Sequence, residues 1–318
     1  MLKDKELNII RAIRKEAKKR VDRPANRPRL GIGDDAAVIG RLGPGQELLI
    51  TTDLLVEGTH FERGRHPAAA LGHKALARGL SDIAAMGGVP AYALLSLCLP
   101  PWWDQNWQKQ FFTGLFRLSG RHSVTLVGGD LAAGDRLVAD IVVLGWARVG
   151  RTLERSTAKV GDIVYVSGQL GGAALGLERL RTGRAVADDK AVERHLYPVP
   201  RLALGRYLAE KLRVRAAMDL SDGLSIDLYR MTQESGVGAE IRAADVPVFP
   251  GATLDQALHG GEDYELLFTM DPRRKPAAAY QGIPLTAIGL ITRSRRLMLT
   301  DQKGRRRPLP LRGFQHSL

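Results

Sequence analysis

The sequence predicts an α/β protein of two domains. Apolar runs typical of β-strands alternate with segments of helical periodicity along the chain, and this alternation restarts near residue 150. With 318 residues, 44% of them hydrophobic, the chain is long enough to bury two cores of ordinary size. We therefore divide it into residues 1–150 and residues 151–318.

The predicted elements of the first domain follow from apolar periodicity. Residues 1–20 carry apolar side chains at helical spacing and predict a surface helix, because no continuous apolar run or cleavage site follows. Two glycines end a second helix, predicted at 70–87. Strands are predicted at 47–55, 91–100 and 124–130, with a helix between the last two, and a strand or bent pair of strands at 135–150.

The second domain repeats the alternation of strands and helices. The predicted elements are a turn and strand at 158–168, helices at 171–183 and 200–212, and a strand end running into a helix at 216–236. Gly171 and Gly172 begin one of these helices, where the backbone could receive an anion, although close packing of strand and helix is the favoured interpretation. A basic hairpin is expected near the C-terminus.

Composition restricts the partners of this protein. The net charge is +13, but the surplus arginines are scattered or form short clusters without interleaved aromatic residues, so no nucleic-acid partner is expected. The charge would favour a phosphorylated small substrate. Cys98 is the one cysteine, which excludes a disulfide and fits the cytoplasm. The longest apolar run, 91–103, is too short for a membrane segment and contains two prolines.

The segment GIGDDA at 31–36 matches the dinucleotide-binding pattern G-x-G-x-x-G/A, with Asp53 lying 20 residues beyond Gly33. That pattern requires a long helix after the glycines, and Gly40 and the turn at 43–45 would end such a helix early. The two variable positions are also both anionic, where a diphosphate needs hydrogen-bond donors. No phosphate-binding loop of the form GxxxxGK[ST] occurs, so a nucleotide would have to bind by another mode.

Another mode of nucleotide binding is suggested by a set of acidic residues. They lie beside Gly, Ser or Thr, at the predicted ends of strands or starts of helices. They are Asp34, Asp35, Asp53, Asp82, Asp130, Asp219, Asp222, Glu262 and Asp263. Oxygen ligands from several short segments suit Mg²⁺, whereas histidine and cysteine lack the spacing of a zinc site. Because a polyphosphate could not approach so many carboxylates unscreened, divalent cations between them would turn repulsion into bridging. This hypothesis explains why the adjacent Asp34 and Asp35 are tolerated.

Simpler interpretations stay open for individual acids, since helix caps, turns and surface ion pairs also use these residue types. They are a helix cap for Ser221 or Asp222, an ion pair with Arg78 for Asp82, a turn for Asp130 and a loop cap for Asp34.

Taken together, these segments resemble the thiamine-monophosphate kinases of the AIR synthase (PurM-like) superfamily. The matching segments, in chain order, are GIGDDAAV, TTDLLVEGTHF, KALARGLSDIAAMGGVP, LVGGD, GRTLERSTAKVGD, DLSDGLSIDL, GGEDYEL and a terminal RGF. GDDAAV and the central GGD occur across the superfamily. The longer TTDLLVEGTHF, LSDIAAMG and DLSDGL with GGEDYEL are close to the kinase branch.

The resemblance implies a PurM-like architecture. An N-terminal α/β domain (1–150) would bind ATP and Mg²⁺ and pair its sheet with that of a second copy in a homodimer, and a C-terminal α/β domain (151–318) would follow. ATP and several Mg²⁺ ions would lie between the domains, near the dimer interface. The implied reaction is direct in-line phosphoryl transfer from ATP to thiamine monophosphate, with no covalent enzyme intermediate.

The resemblance also implies residue roles. The metal ligands would be Asp34, Asp35, Thr51, Thr52, Asp53, Asp82, Asp130, Asp219 and Asp222. The ATP contacts would be Phe112, Gly129, Asp130, Arg155 and Ser221. The thiamine half would meet His60, Glu262 and Phe314, where relatives commonly carry Trp or Tyr near the position of Phe314. Turnover would depend most on Asp53, Asp222 and Arg155.

Two alternatives are distinguishable by experiment. Other superfamily ATPases, such as aminoimidazole ribonucleotide synthetase, selenophosphate synthetase or a hydrogenase-maturation protein, would differ in substrate. The chain has no cysteine near its N-terminus, where selenophosphate synthetases carry a reactive one, and it ends in HSL rather than in the cysteine of the maturation proteins. The second alternative is a nucleic-acid-binding protein without catalysis, whose binding would depend on salt and ignore Mg²⁺ and ATP.

Overall fold

The structure is a computed structural model that describes residues 29–30, 34–43 and 45–314. The helix predicted at residues 1–20 lies outside the described residues, as do Gly31 and Gly33 of the dinucleotide-like segment. No helix in the described ranges combines the length and the apolar character that crossing a membrane requires.

The first half of the chain forms a six-stranded sheet with two helices on one face. Its elements are β1 (Ala37–Gly43), β2 (Gln46–Val56), α1 (Ala68–Ala85), β3 (Val89–Leu99), α2 (Gln105–Arg121), β4 (Thr125–Gly128), β5 (Leu131–Ala133) and β6 (Val138–Arg148). The strand order is β1-β2-β6-β3-β4, and β5 also pairs with β3. A strand therefore follows GIGDDA where the dinucleotide-binding pattern needs a helix, which agrees with our rejection of that pattern.

Side chains alternate across this sheet. In β2, Leu49, Thr51 and Leu55 are buried on the side of α1, while Leu54 is half exposed on the other side. The segment predicted as one strand at 124–130 is divided, because Gly129 lies between β4 and β5 with φ 155°. A Cβ there would lie 1.8 Å from the carbonyl oxygen of Leu95, so a glycine is required at this close approach to β3.

The second half forms an eight-stranded sheet in the order β14-β13-β9-β12-β7-β10-β8, with β11 beside β12. Its elements are β7 (Ile163–Ser167), α3 (Gly172–Thr182), α4 (Lys190–Leu196), α5 (Leu202–Tyr207), β8 (Ala217–Asp219), α6 (Leu224–Ser235), β9 (Gly238–Arg242), α7 (Leu254–His259), β10 (Leu266–Met270), β11 (Ala279–Tyr280), β12 (Ile283–Thr292), β13 (Leu297–Thr300) and β14 (Arg306–Pro308). The expected basic hairpin is β13 and β14. The helix predicted at 200–212 is α5 followed by a π-helical turn at Leu208–Leu212.

The two halves pack directly on each other through α1. Ala85 at its C-terminal end belongs to a core cluster with Leu204 and Leu208 of the second half. A Cβ on Gly205 would lie 1.9 Å from the carbonyl oxygen of Ala84, so the backbones of α5 and α1 touch at this point. Since α1 also carries Asp82, this packing brings acids of the first half close to those of the second.

Candidate active site

A cavity of about 740 Å³ lies between the two halves. Most of the predicted metal and substrate residues line it, and they come from loops and element ends of both sheets. The predicted site residues among its lining are Asp53, His60, Asp82, Asp219, Ser221, Asp222, Glu262 and Phe314. The tertiary structure thus assembles one site from segments that lie as far apart in the sequence as Asp53 and Phe314.

Three carboxylates converge at this cavity. One oxygen each of Asp35, Asp82 and Asp219 lies within 4.8 Å of the other two. Thr51 Oγ1 donates to Asp82 Oδ2 at 2.5 Å, and Ser81 Oγ donates to Asp219 Oδ2 at 2.7 Å, so both side chains are held in place. Burial raises the pKa of Asp82 and of Asp219 well above the usual range, and the neighbouring carboxylates add to the shift. Three buried carboxylates this close together repel one another, so the cluster requires bound protons or a cation to offset the repulsion.

Arg155 binds the adjacent pair Asp34 and Asp35. Its Nε and Nη2 donate to the two oxygens of Asp35 at 3.0 and 2.7 Å, and its backbone N–H donates to Asp34 Oδ2 at 3.1 Å. The other oxygen of Asp34 accepts from the backbone N–H of Asp35, as a loop cap would. Burial raises the pKa of Asp34 to about 8, and the charge of Asp35 contributes in the same direction. The adjacent carboxylates of Asp34 and Asp35 are therefore tolerated partly because Arg155, which lies 120 residues from Asp35 in the sequence, offsets their charge.

Asp53 pairs with Arg78, whose Nη2 and Nε lie 2.6 and 3.1 Å from Asp53 Oδ1. The alternative ion pair between Asp82 and Arg78 is therefore wrong, because the helix turns Arg78 toward β2. Strand pleating separates the two neighbouring threonines: Thr51 faces Asp82, whereas Thr52 faces the opposite side of the sheet and donates to Asp140 Oδ1 at 2.6 Å.

Asp222 lies beside Asp227 and Arg230 at the start of α6. Arg230 Nη1 donates to Asp222, while Asp227 accepts from the backbone N–H groups of Asp222 and Gly223 at 3.0 Å each. The helix-cap interpretation of Ser221 and Asp222 is therefore wrong. Gly223, which has no side chain, occupies the N-cap position, and the Asp227 carboxylate accepts the backbone N–H groups at the start of the helix. Burial raises the pKa of Asp227 to about 7, with a further contribution from Asp222.

The three predicted thiamine-binding residues lie together. The rings of His60 and Phe314 are 5.7 Å apart, and His60 Nδ1 accepts from the backbone N–H of Val56 at 3.0 Å. Glu262 accepts a hydrogen bond from Lys74 Nζ at 2.7 Å. An aromatic ring, an imidazole and a carboxylate that line one cavity can stack on and pair with a cationic heterocycle.

Three predicted nucleotide contacts lie elsewhere. Phe112 stacks on Phe116 at 5.7 Å on α2. Gly129 and Asp130 are exposed at the sheet edge, where Asp130 Oδ1 accepts from the backbone N–H of Leu131 at 2.9 Å. Together with Thr52, these residues are not brought to the carboxylate cluster within one copy of the chain.

Sequence reasoning missed several partners. Lys74 and His195 contact Glu262, and His66 contacts His195 in turn. Asp263 accepts from the backbone N–H groups of Gly171 and Ala173 at 2.6 and 3.1 Å. The sequence suggested that the backbone at Gly171 and Gly172 could receive an anion, and the acidic group that binds there is the Asp263 carboxyl group. Lys74 had a usable signal, since it is a lysine on the otherwise buried face of an apolar helix.

Comparisons with known proteins agree with this geometry. Residues 33–147 match the model of the AIR synthase related protein N-terminal domain, and residues 159–301 match that of the C-terminal domain. The thiamine-monophosphate kinase of Escherichia coli strain K12 is 39% identical over 303 residues, which cover 90% of this chain and 91% of that protein. The chain belongs to the thiamine-monophosphate kinase family.

Solved structures of the thiamine-monophosphate kinase family share the fold over nearly the whole chain. A structure described as AaThiL complexed with AMPPCP and TMP has a TM-score of 0.85 at 30% identity, covering 98% of this chain and 96% of that one. The thiamine-monophosphate kinase of Stenotrophomonas maltophilia K279a has a TM-score of 0.75 at 35% identity, with coverages of 92% and 95%. The two-domain PurM-like architecture expected from the sequence is therefore confirmed.

Proposed function

We propose that this protein transfers the γ-phosphoryl group of ATP to thiamine monophosphate, giving ADP and thiamine diphosphate. The observation that carries the proposal is the convergence of Asp35, Asp82 and Asp219 beside the wall formed by His60, Glu262 and Phe314. A metal-binding cluster for a polyphosphate and a wall for a cationic heterocycle are the two parts that this reaction requires. Family membership supports the same reaction.

The donor set fits Mg²⁺. Every candidate ligand is a carboxylate or hydroxyl oxygen, and burial together with neighbouring carboxylates raises the pKa of Asp82 and of Asp219, a strain that a divalent cation would relieve. We propose that Asp34 or Asp35, Thr51, Asp53, Asp82, Asp219 and Asp222 hold the ions in one copy of the chain. When bound, Mg²⁺ would neutralise charge on the phosphates of ATP and on the acceptor.

The protein itself contributes alignment and charge. The acceptor phosphate is already ionised near neutral pH, so the reaction needs no strong base. Asp53 is oriented by Arg78, and Asp222 by Arg230, so both carboxylates are fixed before substrate arrives. Arg155 fixes Asp35 and brings positive charge next to the cluster. We propose Asp53, Asp222 and Arg155 as the residues on which turnover depends most.

A homodimer would account for the residues that lie outside the cluster. No helix of residues 45–314 covers the face of the first sheet that carries Thr52, and Leu54, Tyr92 and Leu131 are 51%, 43% and 67% exposed near it. Exposed apolar side chains on a sheet face are typical of an interface. We propose that two copies pair through this face, and that Phe112, Gly129 and Asp130 meet ATP near the interface. Residues 1–150 and 151–318 would be the two domains of each copy, and the cytoplasm the place of the reaction.

The test is direct. Purified protein is incubated with ATP, MgCl₂ and thiamine monophosphate, and thiamine diphosphate and ADP are quantified. Asp222→Asn, which preserves side-chain shape, should lower kcat at least about hundredfold, because charge placed at the reacting phosphates is worth several kcal/mol. Asp245→Asn, a partly exposed acid paired with Arg242, is the matched control and should keep the wild-type rate.

Absence of thiamine diphosphate with the wild-type protein would refute the proposal. ADP release with another phosphorylated acceptor would favour a different ATPase of the superfamily. Binding of DNA or RNA that ignores ATP and Mg²⁺ would favour the non-catalytic alternative.

A further inference from the structure

A chain of buried polar side chains leads from the cavity into the protein behind Glu262. Lys74 Nζ lies 2.7 Å and His195 Nδ1 lies 3.2 Å from the same atom, Glu262 Oε2. His195 Nε2 is in turn 2.9 Å from His66 Nε2. The side chains of Lys74 and His195 are each 1% exposed and His66 is 3% exposed, whereas the Glu262 side chain is 19% exposed. His66 and His195 also border the cavity, but Glu262 is the most exposed member of this chain of side chains.

The hydrogen-bond directions follow from the carboxylate. The 3.2 Å approach of His195 Nδ1 to Glu262 Oε2 is a polar contact without the geometry of a regular hydrogen bond. Because ionised Glu262 can only accept, a proton on His195 Nδ1 favours this contact, and His195 Nε2 then accepts from His66 Nε2. In this tautomer His66 Nδ1 accepts the backbone N–H of Glu62 at 3.2 Å, and it also lies 3.0 Å from the carbonyl oxygen of Glu62. Both imidazoles are neutral in this arrangement.

The charges agree with these directions. Burial lowers the pKa of His66 to about 4 and also lowers that of His195, with Lys74 acting in the same sense. Burial alone would raise the pKa of Glu262, but Lys74 and His195 bring it below its ordinary value. Burial also lowers the pKa of Lys74, and the Glu262 carboxylate opposes that shift, so the network is a buried lysine–carboxylate pair beside two neutral rings.

The backbone of Glu262 is constrained as well. Its φ is +67°, an uncommon conformation for a residue other than glycine, and its N–H donates to the carbonyl oxygen of Ser221 at 2.7 Å. Both side-chain contacts recorded within the described residues are to Oε2, and Glu262 lines the cavity, so Oε1 is the oxygen left to accept from a ligand there. A buried ion pair adds little stability by itself, and this arrangement instead fixes the direction of one carboxylate edge.

We propose that Lys74, His195 and His66 are positioning residues that hold the Glu262 carboxylate so that Oε1 binds the thiamine half of the substrate. The inference rests on the proposed function. The partners come from both halves of the protein, Lys74 and His66 from the first and His195 and Glu262 from the second. The position of the Glu262 carboxylate therefore depends on the packing of the two halves against each other.

The test separates binding of the two substrates. His195→Leu and Lys74→Met should each raise KM for thiamine monophosphate roughly tenfold or more, as loss of a hydrogen bond to a charged group would. KM for ATP should stay within about twofold of wild type. His195→Asn, whose amide can donate from the position of Nδ1, should keep most of the affinity. His73→Leu is the matched control, since His73 is a buried histidine bonded to the carbonyl oxygen of Pro198 and does not line the cavity.

A double-variant cycle shows whether the partners act through Glu262. In a Glu262→Gln background, His195→Leu should change KM for thiamine monophosphate less than about twofold. If the Leu or Met variant does not fold, His195→Gln replaces it. Its amide reaches the position of Nε2, so it retains the contact with His66 and should still raise KM.

The inference is wrong if KM for thiamine monophosphate is unchanged in these variants, if the effects add to that of Glu262→Gln, or if His73→Leu gives the same shift. Calorimetric binding of thiamine monophosphate without ATP provides a second readout of the same shifts. A wild-type protein that binds thiamine monophosphate but forms no diphosphate would refute the proposed function and leave the inference standing. No binding by the wild type would refute both.

Discussion

Buried charges in this protein are held in pairs that join distant parts of the chain. Arg155 holds Asp35, Arg78 holds Asp53, and Lys74 holds Glu262, each at 2.6 to 2.7 Å. Removing one partner of such a pair leaves the other charged and buried, which costs several kcal/mol. The Asp82 and Asp219 carboxylates, by contrast, have only hydroxyl donors and each other among their recorded contacts, which is why the magnesium proposal centres on them.

His66 gives a prediction about pH. Its pKa is lowered to about 4 in the folded protein, against 6.5 when unfolded. Between these values the unfolded chain binds a proton that the folded one does not, so the free energy of unfolding should fall as pH falls from 6.5 to 4. The slope for this one group is at most about 1.4 kcal/mol per pH unit.

The measurement compares urea unfolding of wild type and His66→Gln at several pH values in this window. Glutamine keeps a donor for His195 but does not titrate, so the stability difference between the two proteins should shrink or reverse toward pH 4. A difference that does not depend on pH would contradict a neutral, buried His66.

At the scale of elements, α1 organises the molecule. It covers the first sheet, crosses α2, touches α5 and carries both Lys74 and Asp82. Its crossing with α2 depends on two glycines, because a Cβ on Gly72 would lie 1.8 Å from the carbonyl oxygen of Phe111, and one on Gly114 would lie 1.8 Å from that of Ala69. The two helix backbones therefore meet with no side chain between them.

This close crossing predicts that Gly114→Ala destabilises the protein by about 2 kcal/mol or more, since an added methyl would force the helices apart. Gly120→Ala on the same helix is the control. A Cβ there meets nothing within 4 Å, so the change should be neutral or stabilise by up to about 1 kcal/mol. Thermal and urea unfolding provide the check, and equal effects of the two changes would contradict the packing described here.

At the scale of the whole molecule, two packed halves enclose the cavity, and the described part of the chain leaves one face of the first sheet uncovered. We predict that Leu54→Glu converts a dimer into a folded monomer, because a charge in a paired apolar face would have to be desolvated. It should also lower turnover, since Thr52 and Asp130 lie on or near that face.

Sedimentation and light scattering measure the mass, and circular dichroism checks the fold. Val186→Glu, at a position 69% exposed in a turn between α3 and α4, should leave mass and activity unchanged. A wild-type protein that is monomeric at micromolar concentration would contradict the proposed pairing.

Much of the fold could be predicted from local pattern. The apolar run at 47–55 identified β2, and a helical segment ended by glycines identified α1 within two residues at each end. The prediction was poorest where tertiary contact decides the conformation. Gly129 divides a predicted strand because β3 lies against it, and the predicted helix at 200–212 changes to a π-helical turn after α5.

The sequence by itself determined the residue types of the site and their local settings: acids beside small residues at element ends, in segments that match one family. Only the tertiary structure decided which acid meets which partner. Arg155 and Asp35, or Lys74 and Glu262, are separated by more than 100 residues, so no local pattern links them. The physical reason is that propensity and periodicity act over a few residues, whereas ion pairing depends on distance in space, which the packing of α1 against both halves sets.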